Sequence, residues 1–234
     1  MNTKLLSALT ATAAATALFG AGSPAQAASF GTSGITFGQN QDVQFNFKES
    51  HGAFTSSLGI YSINGFSLTK VADLFAETKS SDNEGANEWK GTMGNTVLGP
   101  ATVAFTFLAN QVYTLGLSSN NGMVYSTSGL NLNVASTGSQ QAVFGGQSSL
   151  WSALDSKTTK TFGAAGSFTD GIGSLFNGGT LISFDDRGGG NDADFQDFAV
   201  SAQAVPEPMT MTGLALGFGG LVAARRRRAS KTSS

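Results

Sequence analysis

Asp42-Val43-Gln44-Phe45-Asn46-Phe47 alternates polar and large apolar residues without a break. In an extended chain, Val43, Phe45 and Phe47 fall on one side and Asp42, Gln44 and Asn46 on the other, as in a strand with one buried face. The same alternation returns in residues 101–108 with Val103, Phe105 and Phe107. It continues at Tyr113, Leu115 and Leu117, at Leu130, Leu132 and Val134, and in residues 181–184 and 195–202. Turn-forming residues separate these runs, at Asn64-Gly65, Asn110, Asn120-Asn121-Gly122, Gly145-Gly146 and Asn177-Gly178-Gly179. One segment reads differently. In residues 67–78, Leu68, Val71, Leu74 and Phe75 share a helical face, so this is the one expected helix. A parallel α/β fold needs recurring helices between strands, and the sequence lacks them. The expected fold is all-β, a single domain built as an antiparallel β-sandwich or jelly roll.

Composition agrees with that reading and narrows the function. The chain has 31 Gly and 18 Phe, while charged residues are 12%. It has no cysteine and one histidine, His51. Thiol chemistry, disulfides and a multi-histidine catalytic metal centre are therefore excluded. Residues 28–205 hold seven basic and fourteen acidic side chains, a net charge of −7 against −2 for the whole chain. So acidic a domain does not bind nucleic acid by neutralising phosphates.

Both ends of the chain read as addresses. Lys4 precedes an apolar run over residues 5–19, and Ala25-Gln26-Ala27 has the small-x-small form that signal peptidase admits. Residues 1–27 are thus an expected secretory signal peptide, cut after Ala27. Residues 28–204 form the expected extracellular domain. Residues 205–234 begin Val205-Pro206-Glu207-Pro208, continue in an uncharged run over 209–224, and close on Arg225, Arg226, Arg227 and Arg228 before a short polar end. The prolines make a stiff hinge. The apolar run can enter a bilayer as a short transmembrane helix, and the arginines stop on the cytoplasmic side. Sixteen residues at about 1.5 Å each span roughly 24 Å, less than the roughly 30 Å of a hydrocarbon core. With four glycines in it, the run suits a transient stop better than a permanent span.

This arrangement resembles a PEP-CTERM sorting signal. The resemblance implies that Pro206, Glu207 and Pro208 are the recognition motif of an exosortase-type processing protease. It also implies transient anchoring after export across the inner membrane, then delivery to the cell surface or extracellular matrix.

The most chemical stretch lies near the end of the domain. Asp185 and Asp186 close an apolar run, a Gly-rich turn follows, and Asp192, Asp194 and Asp197 lead into the next run. These five carboxylates repel one another unless a positive charge sits among them, and Arg187 can neutralise only one. Hard oxygen ligands on a Gly-rich loop suit Ca²⁺, so these five are the candidate metal ligands. The spacing lacks the twelve-residue frame of an EF-hand. The other reading is a hairpin whose aspartates make Asx-turns.

The same stretch is similar to the C-terminal motif of a bacterial surface domain, domain of unknown function family 4114. Residues 49–54 leading to Leu58-Gly59-Ile60-Tyr61, residues 112–122 and residues 125–131 follow that family's order, over about residues 42–200. Gln196 stands where the family usually has Asn. The resemblance implies a secreted, calcium-linked β-domain and no reaction.

The expected function is therefore non-enzymatic: a secreted or surface-displayed component of a biofilm or extracellular matrix. Two alternatives carry named residues. In a carbohydrate-binding module, with extracellular polysaccharide as partner, Trp89, Trp151, Tyr61, Tyr113 and Tyr125 would stack on sugar rings. A glycoside hydrolase would pair Glu84 or Glu88 with Asp185 or Asp192, since paired carboxylates suffice for that chemistry. His51 has no nucleophile motif beside it and reads as a polar loop residue.

Overall fold

A computed structural model describes residues 28–83, 89–131, 140–145, 173–186 and 195–205. The strands in chain order are β1 (Ala28–Gly31), β2 (Gly34–Phe37), β3 (Gln41–Ser50), β4 (Ser56–Asn64), β5 (Ser67–Ala76) and β6 (Thr102–Phe107). They continue with β7 (Val112–Ser119), β8 (Gly122–Tyr125), β9 (Ala142–Phe144), β10 (Thr180–Phe184) and β11 (Phe198–Ala204). One turn of helix, α1 (Gly173–Phe176), precedes β10. Among the described residues these strands pair antiparallel, in two sheets. The first has the order β1-β2-β7-β4-β5, with β8 sharing the edge of β7; the second has the order β6-β3-β11-β10-β9.

The expected alternation is what builds the core. Val43, Phe45 and Phe47 of β3 are buried, as are Tyr113, Leu115 and Leu117 of β7. Side chains from both sheets join one hydrophobic cluster. Rings meet across the two layers: Phe107 on Tyr113 at 5.1 Å, Phe47 on Phe75 at 5.9 Å and Phe30 on Phe144 at 5.5 Å between centroids. Phe105 and Phe107 pack edge to face at 4.8 Å. Fully burying a side chain of this size is worth roughly 1.5–3 kcal/mol. The phenylalanines thus do the holding that disulfides do in many exported domains.

The expected helix over residues 67–78 is strand β5, paired along its length with β4. Gly59 opposes Asp73 while Leu58 opposes Phe75, so Leu74 is an extra residue. Ile60 opposes Ala72 while Tyr61 opposes Lys70, so Val71 is another. Two bulges three residues apart re-phase a period of two, and the apolar positions then mimic a helical spacing. Leu130 is likewise in a short 3-10 turn (Ser128–Leu130) rather than a strand. Leu132 and Val134 lie outside the described residues.

The fold has two distinct ends. Ala28 pairs with Phe37, and the Phe37 carbonyl accepts from Asn110 N at 2.8 Å. Gln41 pairs with Phe107, and Val205 N donates to the Asp42 carbonyl at 2.8 Å. Both termini of the described domain therefore lie at one end. Ser50, Glu77, Ser119, Asp186 and Asp197 lie at the other.

Candidate functional site: a buried acidic cluster

At the end opposite the termini, β3 reaches its last residue through a bulge. Phe47 pairs with Val200 and Glu49 with Ala199, which leaves Lys48 extra. The bulge turns Ser50, rather than Glu49, inward; Ser50 is buried and Lys48 exposed. Ser50 is pinned by backbone bonds to Gly91, donating to its carbonyl at 3.1 Å and accepting from its N–H at 2.8 Å. Its hydroxyl donates to Glu77 Oε1. The other Glu77 oxygen accepts from Ser56 N at 2.7 Å.

From Ser56 the network crosses to the second sheet. Ser56 Oγ donates to Asp186 Oδ2 at 3.1 Å. Asp186 N donates to Asp197 Oδ2 at 2.8 Å, and the Asp186 carbonyl accepts from Ser119 Oγ at 3.1 Å. Asp185 N donates to the Gln141 carbonyl at 3.2 Å, and His51 N to the Asp197 carbonyl at 3.3 Å. Asp185, Asp186 and Asp197 are 0%, 3% and 7% exposed, and Glu77 is 8% exposed. Four acidic residues are thus withdrawn from water where the sheets meet. Gly52 lets them pack so closely, because a Cβ there would sit 2.7 Å from Asp186 Oδ2 and 3.2 Å from Asp197 Cβ.

The electrostatics follow from that placement. Burial drives the Glu77 carboxyl up to about 7, the Asp186 charge adds to the rise, and the hydrogen bonds from Ser50 and Ser56 oppose it. Nearby, the His51 imidazole 3.5 Å from Glu49, together with Lys90 at 3.2 Å, holds the Glu49 carboxyl below the usual range despite partial burial. Burial also pushes on Asp82, but bonds from Thr96 and Thr92 and the Lys79 charge outweigh it and lower the carboxyl. Asp82 Oδ1 accepts from Thr96 Oγ1 at 2.7 Å and Thr92 N at 3.0 Å, and Oδ2 from Thr92 Oγ1 at 2.8 Å.

Of the five aspartates proposed from sequence, Asp185, Asp186 and Asp197 come together here, while Asp192 and Asp194 lie outside the described residues. One oxygen of Asp186 and one of Asp197 already accept bonds from the protein. Among the described residues, no group of three or more acidic or histidine side chains converges as a cation cage. The described aspartates on their own therefore fit a structural clasp better than a complete metal site. The members the sequence did not point to are Glu77, Ser50 and Ser56. Glu77 lay within the expected helix, and nothing local marks a serine as the inward residue of a bulge.

Other candidates fall elsewhere. Trp151, Glu84 and Glu88 lie outside the described residues. Tyr113 is a core residue whose hydroxyl accepts from Leu108 N at 3.2 Å. Tyr61 and Tyr125 form an edge-to-face pair at 5.8 Å. Tyr61 lies over Gly116, where a Cβ would meet its ring at 2.6 Å. A ring covering a strand glycine is a packing device. Trp89 is partly exposed, with φ 64°. Comparison with family models, curated proteins and solved structures finds no match to this chain.

Proposed function

We propose that this chain is the precursor of a non-enzymatic, surface-displayed β-sandwich protein of a biofilm or extracellular matrix. It is exported by the signal peptide at 1–27 and processed at Pro206-Glu207-Pro208 by an exosortase-type protease. The sequence pattern at the two ends carries the reading, and among the described residues the strands, Ala28–Gly31 through Phe198–Ala204, lie between the two expected processing points. Both points also leave from one end of the domain. The arginine block after an uncharged run supports the same route.

In this reading the acidic end stiffens the domain, and Ca²⁺ binds the loop 185–197 through Asp192 and Asp194 with help from the gathered Asp185, Asp186 and Asp197. What supports a cation is the density of carboxylates in the sequence of this Gly-rich loop, five aspartates within residues 185–197. When bound, the ion supplies charge neutralisation only.

Expression in a host with the processing protease tests the route. The expected product has Ala28 as its first residue and lacks 209–234 by intact mass, while Pro206→Ala with Glu207→Gln accumulates at the membrane with its tail intact. A product that keeps residues 1–27 in the cytoplasm overturns it. Calcium is tested by melting in millimolar Ca²⁺ and in EDTA. A ligand specific to the folded state stabilises by about 2.7 kcal/mol at 100 Kd, and Asp192→Asn with Asp194→Asn should abolish the gain.

A further inference from the structure

Four large apolar side chains stand exposed at the end of the domain that holds the termini. Phe66, at the tip of the β4–β5 hairpin, is fully exposed, and Leu108, Val112 and Val205 are 55%, 39% and 38% exposed. The ladders place them together. Ile63 pairs with Val112, and Gln111 Nε2 donates to the Ile63 carbonyl at 3.2 Å and to Asn64 Oδ1 at 3.3 Å. Gln41 pairs with Phe107, next to Leu108, and its side chain donates to the Val205 carbonyl at 3.3 Å. Leu98 and Trp89, exposed toward the acidic end, stand singly, which is ordinary on a surface, but a group of four rimming one end is not.

Charge is distributed the other way. Glu49, Glu77, Asp82, Asp185, Asp186 and Asp197 all belong to the opposite end, with Lys48, Lys79 and Lys90 among them. Among the described residues Asp42 stands close to the apolar end, where Thr106 Oγ1 donates to it, and Glu207 follows Val205 in the sequence.

The tail sets a distance. Only Pro206, Glu207 and Pro208 separate Val205 from Met209, where the apolar run begins. Four residue steps reach at most about 14 Å. The polar layer on each side of a bilayer is roughly 5–8 Å thick. A run inserted from Met209 therefore brings this end of the domain to the lipid surface.

We infer that the end formed by Phe66, Leu108, Val112 and Val205 seats on the bilayer while the tail is inserted, with the lipid interface as its partner. This rests on the membrane anchoring proposed above. Seating covers the apolar rim, presents the Pro206–Pro208 hinge at the membrane plane, and holds the acidic end away from anionic headgroups.

The chain has no cysteine, so an introduced one is a unique labelling site. Full-length Phe66→Cys, Leu108→Cys and, at the far end, Lys48→Cys each receive a bimane fluorophore. Each is mixed with phosphatidylethanolamine–phosphatidylglycerol vesicles with or without brominated acyl chains as quencher. The expected result is vesicle-bound protein with emission lost at 66 and 108 and kept at 48. Vesicle-bound protein with all three labels unquenched leaves the anchor standing and overturns the seating. Protein that does not float with the vesicles overturns both. Labels at 66 and 108 already shielded before vesicles are added assign the rim to the tail or a second copy, and also overturn the inference. All three replaced side chains are exposed, and unchanged far-ultraviolet circular dichroism verifies that each variant is folded.

Discussion

Glu77 departs far from the behaviour of its residue type. Its folded carboxyl titrates near 7 because burial disfavours the charge. The folded state therefore holds this proton more tightly than the unfolded chain does. The resulting stabilisation is fully present below about pH 4.5 and is lost as pH rises through about 7, with a size of roughly 3 kcal/mol. Glu77→Gln removes the titration. The variant's stability relative to the wild type should therefore rise by about that amount between pH 4.5 and 8, as read from denaturant melts across the window. A flat difference would mean that Glu77 titrates normally. Gly52 tests the packing around the same cluster. Gly52→Ala forces a methyl against Asp186 and Asp197 and should cost about 1–3 kcal/mol, measured as a lower denaturation midpoint with an unchanged slope.

Among the elements, β11 matters most. It lies in the middle of its sheet, between β3 and β10, and it supplies Phe198, Val200 and Ala202 to the core. A chain ending at Val205 should fold, and one ending at Asp197 should not, because two neighbours lose their ladder at once. Near-ultraviolet circular dichroism of the two truncations distinguishes them. Strands such as β3, β7 and β11 were legible in the sequence because one face of each is buried along its length. β5 was not, because the extra residues Val71 and Leu74 imprint a helix-like spacing on an edge strand. β1, β2 and β9 are three or four residues each, too short for alternation to declare itself. The acidic cluster was half legible: the aspartates of 185–197 mark themselves by density. Glu77, Ser50 and Ser56 reach them only through pairings and a bulge that no local pattern encodes.

At the scale of the whole molecule, the ladder between β3 and β11 joins the start of the domain to its finish. Gln41 and Val205, which bond to each other, are 164 residues apart in sequence. Contacts of such separation form late and slowly. On the export route proposed here the chain crosses the membrane from its N-terminus onward, so β3 emerges early and waits for its partner. The second sheet can close only once residue 204 has emerged, and by then the apolar run behind it has reached the membrane. Translocation thus acts as a clock: arrest of the tail precedes completion of the fold, and the domain matures as a tethered body. While the edges of β3 and β10 are still open, chains so held meet only by lateral movement in the membrane and not through bulk solution, where open edges invite aggregation.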